Sequence, residues 1–398
     1  MKKIRLIFSN QSESRISNGM DLYRLAMPYT PFSETCDVRG LSLDEFDMNP
    51  LDGDVYVMNR PQKFRAKMVK DAGKILVVDI DDYWKLPTWH KLSPKILKDQ
   101  LDFAAKYPDR VDPTEVNNVR RAYDRAINAE SNILESVRIA DLVTVTTETL
   151  QAKLKQIGIE SVVVKNTIHP MAQQFSTNKN KSNRLRFGWV GGSFHGRDVA
   201  LMFEGIRRLH GDKSLHGKYQ LLASFNDNSE YREIERILTI NYLCCSEDYR
   251  TYLKQYSRLG SHIGNSEAYK RLWNLDVLEY GAHYEQIDVA LIPLQHGEFN
   301  SCKSELKLIE AAHTGCAAIV SNVLPYNKWL KHGYNCLLTD GTHGWYTAMK
   351  MLIDNPDLRH TLAENLRKTI SENFDTFKES NILATELNKL ECLTSESV

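Results

Sequence analysis

The chain has 398 residues, which is long enough for two domains that each bury a core of their own. Its 51 basic and 51 acidic residues give a formal net charge of +0 at pH 7, so the whole-chain charge gives no argument for binding nucleic acid or an anionic membrane. The seven cysteines show no Cys-x-x-Cys spacing, which predicts neither a disulfide framework nor a zinc site. No stretch approaches the roughly 20 apolar residues of a membrane span. We therefore expect a soluble cytoplasmic protein.

The first part of the chain alternates short apolar runs with helical patterns, as is typical of a parallel α/β sheet. Strands are predicted at 3–8, 54–58, 74–80, 142–146 and 161–165. The stretch 84–136 is charged and mostly helical, and we interpret it as an insertion that caps a cleft. The sequence thus predicts an N-terminal Rossmann-like domain over 1–166.

A polar segment rich in Asn, Lys and Ser follows at 167–184 and is expected to be a linker. The alternation then restarts, with strands predicted at 184–190, 219–225, 289–294, 316–321 and 335–340 and helical patterns at 230–259 and 351–390. We predict a second α/β domain over 185–375 and a crossover helix and tail over 376–398. Parallel sheets of this kind bind ligands at the carboxyl ends of their strands.

Segment 299–321 carries the strongest functional pattern. It predicts a polar loop, a helix that starts near Lys303, a turn at Gly315 and a buried strand. Lys303, Lys307 and Glu310 are spaced to share one helix face. A lysine beside helix-end amides suits a diphosphate, and a carboxylate two turns further suits sugar hydroxyls. A solvated face with a Lys307–Glu310 pair explains the same residues, so both interpretations stay open.

A glycine loop follows the strand at 184–190. Gly191, Gly192 and Ser193 precede a predicted helix start, which favours a phosphate loop, although two glycines also form a simple tight turn. Asp198 is expected to be the N-cap or a first-turn acid of that helix rather than a reactive group. The other polar residues expected around a phosphate-bearing ligand at this loop and at segment 299–321 are His195, Arg197, Asn300 and Ser304, and an exposed loop histidine explains His195 equally well.

Asp79, Asp81 and Asp82 directly follow the strand at 74–80. Three interpretations compete for them: a metal site of the Asp-x-Asp kind, caps of the next helix, and recognition of an acceptor or a sugar, which only a resemblance to related enzymes implies. We favour the third, with capping second.

The C-terminal half resembles glycosyltransferases of the GT-B fold, family 4. The resemblance rests on Asp288-x-Ala290-Leu291-x-Pro293-Leu294, followed by Glu310-Ala311, Gly315 and Ser321, and it extends to segments 186–198 and 326–340. One position departs from the family pattern. The family has a pair of glutamates, and Cys302 stands at the position of the first one. A Lys-Ser-x-Leu-Lys variant follows at 303–307.

The resemblance implies a fold and an activity. It implies the GT-B architecture: two Rossmann-like domains facing a cleft, and a C-terminal helix that crosses back to the first domain. It also implies a retaining hexosyl- or pentosyltransferase that uses a UDP- or GDP-sugar without a metal or other cofactor. The residues expected to act in catalysis are Glu310, Lys303 and Asp82.

The same resemblance implies which residues bind the donor and which bind the acceptor. The donor would be bound by Gly191, Gly192, Ser193, His195, Arg197, Asn300, Ser304, Lys307 and Glu310. The loop with Gly19 and Arg24 resembles the first glycine-bearing loop of the family and would approach the phosphates or the acceptor, together with Asp79 and Asp81.

The acceptor stays open at this level. A glycan or lipid is the usual acceptor of such enzymes, whereas the Asp79–Asp82 and Lys303–Lys307 motifs also resemble phage-encoded enzymes that act on hydroxymethylated DNA bases. The cell would then be a bacterium or its phage-infected counterpart. An inactive relative that only binds a sugar nucleotide or glycan is the main alternative. A sugar-nucleotide epimerase would need acid and base groups that the sequence does not place.

Overall fold

We describe a computed structural model of the chain, over residues 1–48, 51–192, 194–224, 232–239 and 268–395. The chain forms two compact units. Unit 1 contains Met1–Thr167, Ser301–Ser304 and Asp375–Val398, and unit 2 contains Ile168–Asn300 and Glu305–Phe374.

Unit 1 is built on a parallel sheet with, in the described residues, six strands in the order β2-β1-β3-β4-β5-β6. The strands are β1 Lys3–Ile7, β2 Asp37–Leu41, β3 Val55–Asn59, β4 Ile75–Ile80, β5 Leu142–Val145 and β6 Val162–Val163. The chain leaves β1 for β2 on one side and then continues on the other side at β3. The strand order therefore reverses between β1 and β3, where open α/β sheets form a ligand-binding crevice.

Helices cover this sheet. They are α1 Met27–Tyr29, α2 Leu43–Met48, α3 Lys63–Asp71, α4 Pro94–Lys106, α5 Pro113–Ile139, α6 Glu148–Lys155 and, from the end of the chain, α14 Thr376–Ser395. Shorter turns of helix are a π-helix at Asp21–Ala26 and 3₁₀ turns at Thr30–Glu34 and Pro108–Arg110. Within the described ranges, no helix has the length and apolar character needed to span a membrane.

Unit 2 repeats the architecture with a second parallel sheet, whose six described strands run β12-β11-β10-β7-β8-β9. Its strands are β7 Leu185–Val190, β8 Tyr219–Ser224, β9 Tyr269–Leu272, β10 Val289–Ile292, β11 Ala317–Ser321 and β12 Leu337–Thr339. Here the order reverses between β7 and β10, which sets a second crevice at the ends of those strands.

The helices of unit 2 pack against this sheet. They are α7 Gly196–Val199, α8 Phe203–Gly211, α9 Arg232–Thr239, α10 Glu298–Ser301, α11 Leu306–His313, α12 Trp345–Asp354 and α13 Pro356–Asn373, with 3₁₀ turns at Ala200–Met202, Lys213–Leu215, Tyr280–Gln286 and Tyr326–Lys328. Trp189 and Trp345 are fully buried in the core. Gly205 allows α12 to approach closely, because a Cβ there would lie 2.5 Å from that of Trp345.

All ten strands expected from the sequence form, within one or a few residues at each end. The two additional strands, β2 and β9, are edge strands that mix charged residues with few apolar ones, so they carry no strong hydrophobic signal. The helical prediction at 230–259 is confirmed at Arg232–Thr239, and the rest of that segment lies outside the described residues.

A buried ion pair ties unit 1 together. Arg24, on the π-helix after β1, donates from Nη2 and Nε to the two oxygens of Asp79, at 2.7 and 3.0 Å. Both side chains are about 2% exposed. Thr144 and Asn59 also donate to Asp79, at 2.6 and 2.9 Å. Arg24 in turn donates to Asn166 Oδ1 at 3.0 Å.

Replacing Arg24 with Met is expected to destabilise unit 1 by about 3–5 kcal/mol, because the substitution leaves the Asp79 carboxylate buried without its cation. A lowered midpoint in urea denaturation followed by circular dichroism would show this. Arg15→Met is the matched control, since Arg15 forms an ion pair with Glu13 in which both side chains are more than half exposed. Equal midpoints for the two variants would contradict the prediction.

Candidate functional site

At the crevice of unit 2, the backbone of Gly191 lies close to the side chains of Trp189 and Lys307. Gly191 directly follows β7, and a Cβ at this position would lie 2.5 Å from the Trp189 ring and 2.9 Å from Lys307 Nζ. Only glycine fits there without displacing a buried ring. Gly192 is different, because nothing lies within 4 Å of a Cβ built on it. The next residue of the expected loop, Ser193, lies outside the described residues.

Lys307 lies at the same point of the crevice. It is in the first turn of α11, and its Nζ donates to the Val190 carbonyl at 2.5 Å, at the carboxyl end of β7. The ammonium also lies 5.6 Å from the centre of the Trp189 ring, a cation–π geometry. The structure therefore brings the predicted Lys307 and Gly191 into contact and directs a cation to the end of the strand.

Asp198 connects two loops at this crevice. Its carboxylate accepts from the backbone N–H of Gln295, which follows β10, and pairs with His195 Nδ1, both at 2.8 Å. Asn300 is buried and donates to the Gln295 carbonyl at 2.9 Å. Asp198 is in the first turn of α7, as expected, but its function in the fold is to bind the β10 loop. Arg197 is exposed.

The predicted helix start near Lys303 is wrong. Helix α11 begins at Leu306, and residues Ser301–Ser304 belong to unit 1. Side chains of unit 1 bind this short segment: Thr147 donates to the Cys302 carbonyl at 3.3 Å, and Asn166 donates to Ser304 Oγ at 2.8 Å. These tertiary contacts override the helical pattern, so Lys303 does not share a helix face with Lys307 and Glu310.

Glu310 occupies a buried position. It is 3% exposed, and its oxygens accept hydrogen bonds from Tyr280 and, at 2.8 Å, from Tyr284. Burial, together with the negative charge of Glu310, raises the pKa of Tyr284 well above its ordinary value, so the phenol stays a donor. Tyr284 is buried, whereas Tyr280 is half-buried.

The two tyrosines were not predicted from the sequence. They lie on the 3₁₀ turn Tyr280–Gln286, 30 and 26 residues before Glu310. Residues so far apart in the sequence show no spacing pattern that would predict their contact. The contact is seen only in the structure, where this turn packs against α11.

In unit 1 the expected acidic cluster separates into two groups. Asp79 is buried against Arg24, so these two predicted site residues pair with each other. Asp81 and Asp82 lie further along and are partly exposed. Asp81 pairs with Arg60 Nε at 2.7 Å, and Asp82 lies 3.4 Å from Lys303 Nζ. Gly19 lies just before the π-helix of Arg24.

Arg60 contacts this acidic segment, and the sequence did not indicate it. It follows β3 with a φ of 43°, a left-handed conformation unusual for a residue other than glycine. Its guanidinium binds Asp81 and the Asp82 carbonyl, which accounts for how this conformation is held. Among the described residues, no group of three or more His, Cys, Asp or Glu side chains is placed to hold a metal ion.

No protein-family model matches the sequence, and no curated protein sequence matches it either. Solved structures do resemble it. Anabaena HepE in complex with UDP and glucose aligns with a TM-score of 0.58 and 14% identity, over 98% of this chain and 100% of that one. Sucrose-phosphate synthase from Thermosynechococcus elongatus aligns with a TM-score of 0.58 and 14% identity, over 99% and 100% of the two chains.

A third similar structure is the trehalose-phosphate synthase of Burkholderia xenovorans in complex with glucose-6-phosphate, with a TM-score of 0.58 and 10% identity over 97% of this chain and 100% of that one. These neighbours are glycosyltransferases of the GT-B fold. The two parallel sheets and the full-length alignments confirm the expected fold class: this chain has the GT-B fold, with two Rossmann-like units.

Proposed function

We propose that the protein is a glycosyltransferase that takes a sugar from a nucleotide diphosphate sugar. The observation that carries the proposal is the position of Lys307, whose ammonium lies at the end of β7 beside Gly191, where a Cβ would collide with the buried Trp189 ring. A cation and backbone amides at the crevice of a parallel sheet suit a diphosphate. The solved neighbours support the donor class, since HepE was crystallised with UDP and with UDP-glucose.

The chemistry needs a group that stabilises the departing diphosphate. The bond between the anomeric carbon and the diphosphate oxygen breaks, a bond to an acceptor oxygen forms, and the acceptor hydroxyl loses its proton. Negative charge then builds on the diphosphate, and in this proposal Lys307 and the backbone amides of Gly191 and Gly192 stabilise it in place of a metal. His195, Arg197, Asn300 and Ser193 complete the donor loop in this proposal.

Further roles follow the family resemblance. Lys303, held by Asp82 at 3.4 Å, would supply a second cation for the leaving group, with Ser304 beside it. Glu310 would bind donor hydroxyls, for which Tyr280 would have to release its carboxylate oxygen. Retention of anomeric configuration is part of the proposal. Cys302 is fully buried and replaces the first glutamate of the family, so a carboxylate role at that position is not proposed.

A donor screen tests the proposal. We expect one nucleotide sugar among UDP-, GDP- and TDP-sugars to raise the melting temperature of the purified protein. Without acceptor, the protein should slowly hydrolyse this donor and release its free nucleoside diphosphate. A chelator is expected to leave both signals unchanged. Stabilisation without release, even in the presence of a glycan library, would indicate a relative that only binds the sugar nucleotide. No response to any donor would contradict the proposal.

Substitutions at two neighbouring glycines distinguish an effect on folding from an effect on donor binding. Gly191→Ala is expected to lower the melting temperature, because its methyl group collides with the buried Trp189 ring. Gly192→Ala has open space and should keep the wild-type melting temperature. If the loop cradles the diphosphate, the added methyl of Gly192→Ala should weaken donor binding about tenfold in calorimetry. Unchanged donor affinity in Gly192→Ala would remove this loop from the donor site.

Glu310 and its two tyrosines provide a second set of tests. Glu310→Gln is expected to weaken donor binding about tenfold or more, since the amide replaces a charged acceptor of hydroxyl donors. Tyr280→Phe removes the group that competes for the same oxygen, so donor affinity should be kept or increased. Tyr284→Phe should mainly lower the melting temperature, as it leaves a buried carboxylate oxygen without its donor. A Glu310→Gln variant that loses stability but not donor affinity would limit Glu310 to the fold.

A further inference from the structure

An apolar groove lies on the surface of unit 1 between α4 and α5. It encloses about 530 Å³, and its apolar wall includes Ile96 and Phe103 of α4 and Val116 and Val119 of α5. Phe103 is exposed and the other three side chains are half-buried, so the groove opens to solvent. A groove of this kind between two helices takes a third helix through apolar side chains spaced i, i+4.

The groove also carries negative charge. Two carboxylates line it, those of Asp99 and Glu115, and both residues are exposed. The adjacent cation of α4, Lys98, pairs with Asp102 at 2.7 Å rather than with Asp99. An occupant that combines apolar side chains with a basic residue is therefore favoured over an acidic one.

Helix α3 of the same unit exposes a face with those properties. Phe64 and Met68 are spaced i, i+4 and are 49% and 36% exposed. Lys67 is exposed on the same face between them, and Asp71 lies at the end of the helix. The Arg65 guanidinium lies 4.7 Å from the centre of the Phe64 ring and holds that ring in place. An aromatic ring and a methionine are common anchors of protein interfaces.

The groove and the exposed face of α3 lie at opposite ends of α5. Helix α3 packs against α5 near Glu135, which pairs with Lys63, whereas the groove lies beside Glu115. At about 1.5 Å per residue, these two points of α5 are about 30 Å apart. The α3 of one molecule therefore does not reach the groove of that same molecule.

An exposed apolar side chain lies between the two ends. Ile127 is near the middle of this part of α5 and is 49% exposed. It follows Val116 by eleven residues, close to three turns, so both side chains project from the same face of the helix. A two-fold axis beside Ile127 would exchange the two ends of the layer, so that α3 of each copy meets the groove of the other.

We propose that the protein forms a two-fold dimer through this layer of helices. Phe64 and Met68 of each copy occupy the α4–α5 groove of the other, and Lys67 faces Asp99 and Glu115. Ile127 packs against its counterpart at the axis. Such a contact uses the same surface on both copies, so each complementary pair occurs twice. The inference concerns assembly and does not depend on the proposed transferase activity.

Sedimentation equilibrium of the full-length protein tests the inference. We expect the wild type to have twice the mass of one chain at micromolar concentration. Ile127→Asp places two like charges at the axis, and this variant is expected to be monomeric. Ile157→Asp is the matched control, since Ile157 is also exposed in unit 1 and lies outside these helices; it should stay dimeric.

An exchange of charges tests the pairing of α3 with the groove. Lys67→Glu and Glu115→Lys should each raise the dimer Kd about tenfold, because each places like charges together at two symmetric positions. The double variant restores opposite charges and should bind more tightly than either single variant. Lys155→Glu, at an exposed lysine of α6, should leave the Kd unchanged.

A wild type that is monomeric at about 100 μM overturns the inference, and the groove then belongs to a different partner. A dimer that persists in Ile127→Asp also overturns it, because the contact would lie on another face. So does a charge-exchanged double variant that binds no more tightly than the single variants. If circular dichroism shows that Ile127→Asp is unfolded, Met68→Glu on the exposed face of α3 replaces it and is likewise expected to be monomeric.

Discussion

The buried ion pair between Arg24 and Asp79 is the interaction on which unit 1 depends. Two charges about 2% exposed cost much desolvation energy, and the structure offsets it with a complete set of partners. Those partners come from β3, from β5 and from the segment after β6, through Asn59, Thr144 and Asn166. Asn166 then donates to Ser304, so the network reaches the segment that carries Lys303. One ion pair thereby positions the ends of several strands.

The two units share one topology but place different charged groups at the point where the strand order reverses. In each sheet the strand order reverses next to its first strand, and in each a polar cluster lies at that reversal. In unit 2 the cluster has an unusually close lysine and glycine, Lys307 and Gly191, which favour an anion. In unit 1 Arg60 and Arg65 pair with Asp81 and Asp47.

The sequence predicts the fold well because buried strands of parallel sheets are continuous apolar runs. It fails at edge strands such as β2, where exposure allows charged residues. The site is predicted less completely. Lys307 and Gly191 are brought together as the motif indicates, but Lys303 lies outside the helix because side chains of unit 1 bind its segment. The partners of Glu310 are distant in sequence, and Arg60 is marked only by a backbone angle, so neither leaves a local pattern.

The last helix has a consequence for how the protein is made. Leu383 and Leu387 of α14 are in the same buried core as Ile4 and Val55 of the first strands, and Ser380 donates to the Pro28 carbonyl at 2.7 Å. A ribosome synthesises these leucines only after the whole of unit 2. The core of unit 1 therefore stays incomplete through most of translation, although its strands are synthesised first. Unit 2 residues up to Phe374 need no later segment, so the second unit synthesised can be the first to finish folding.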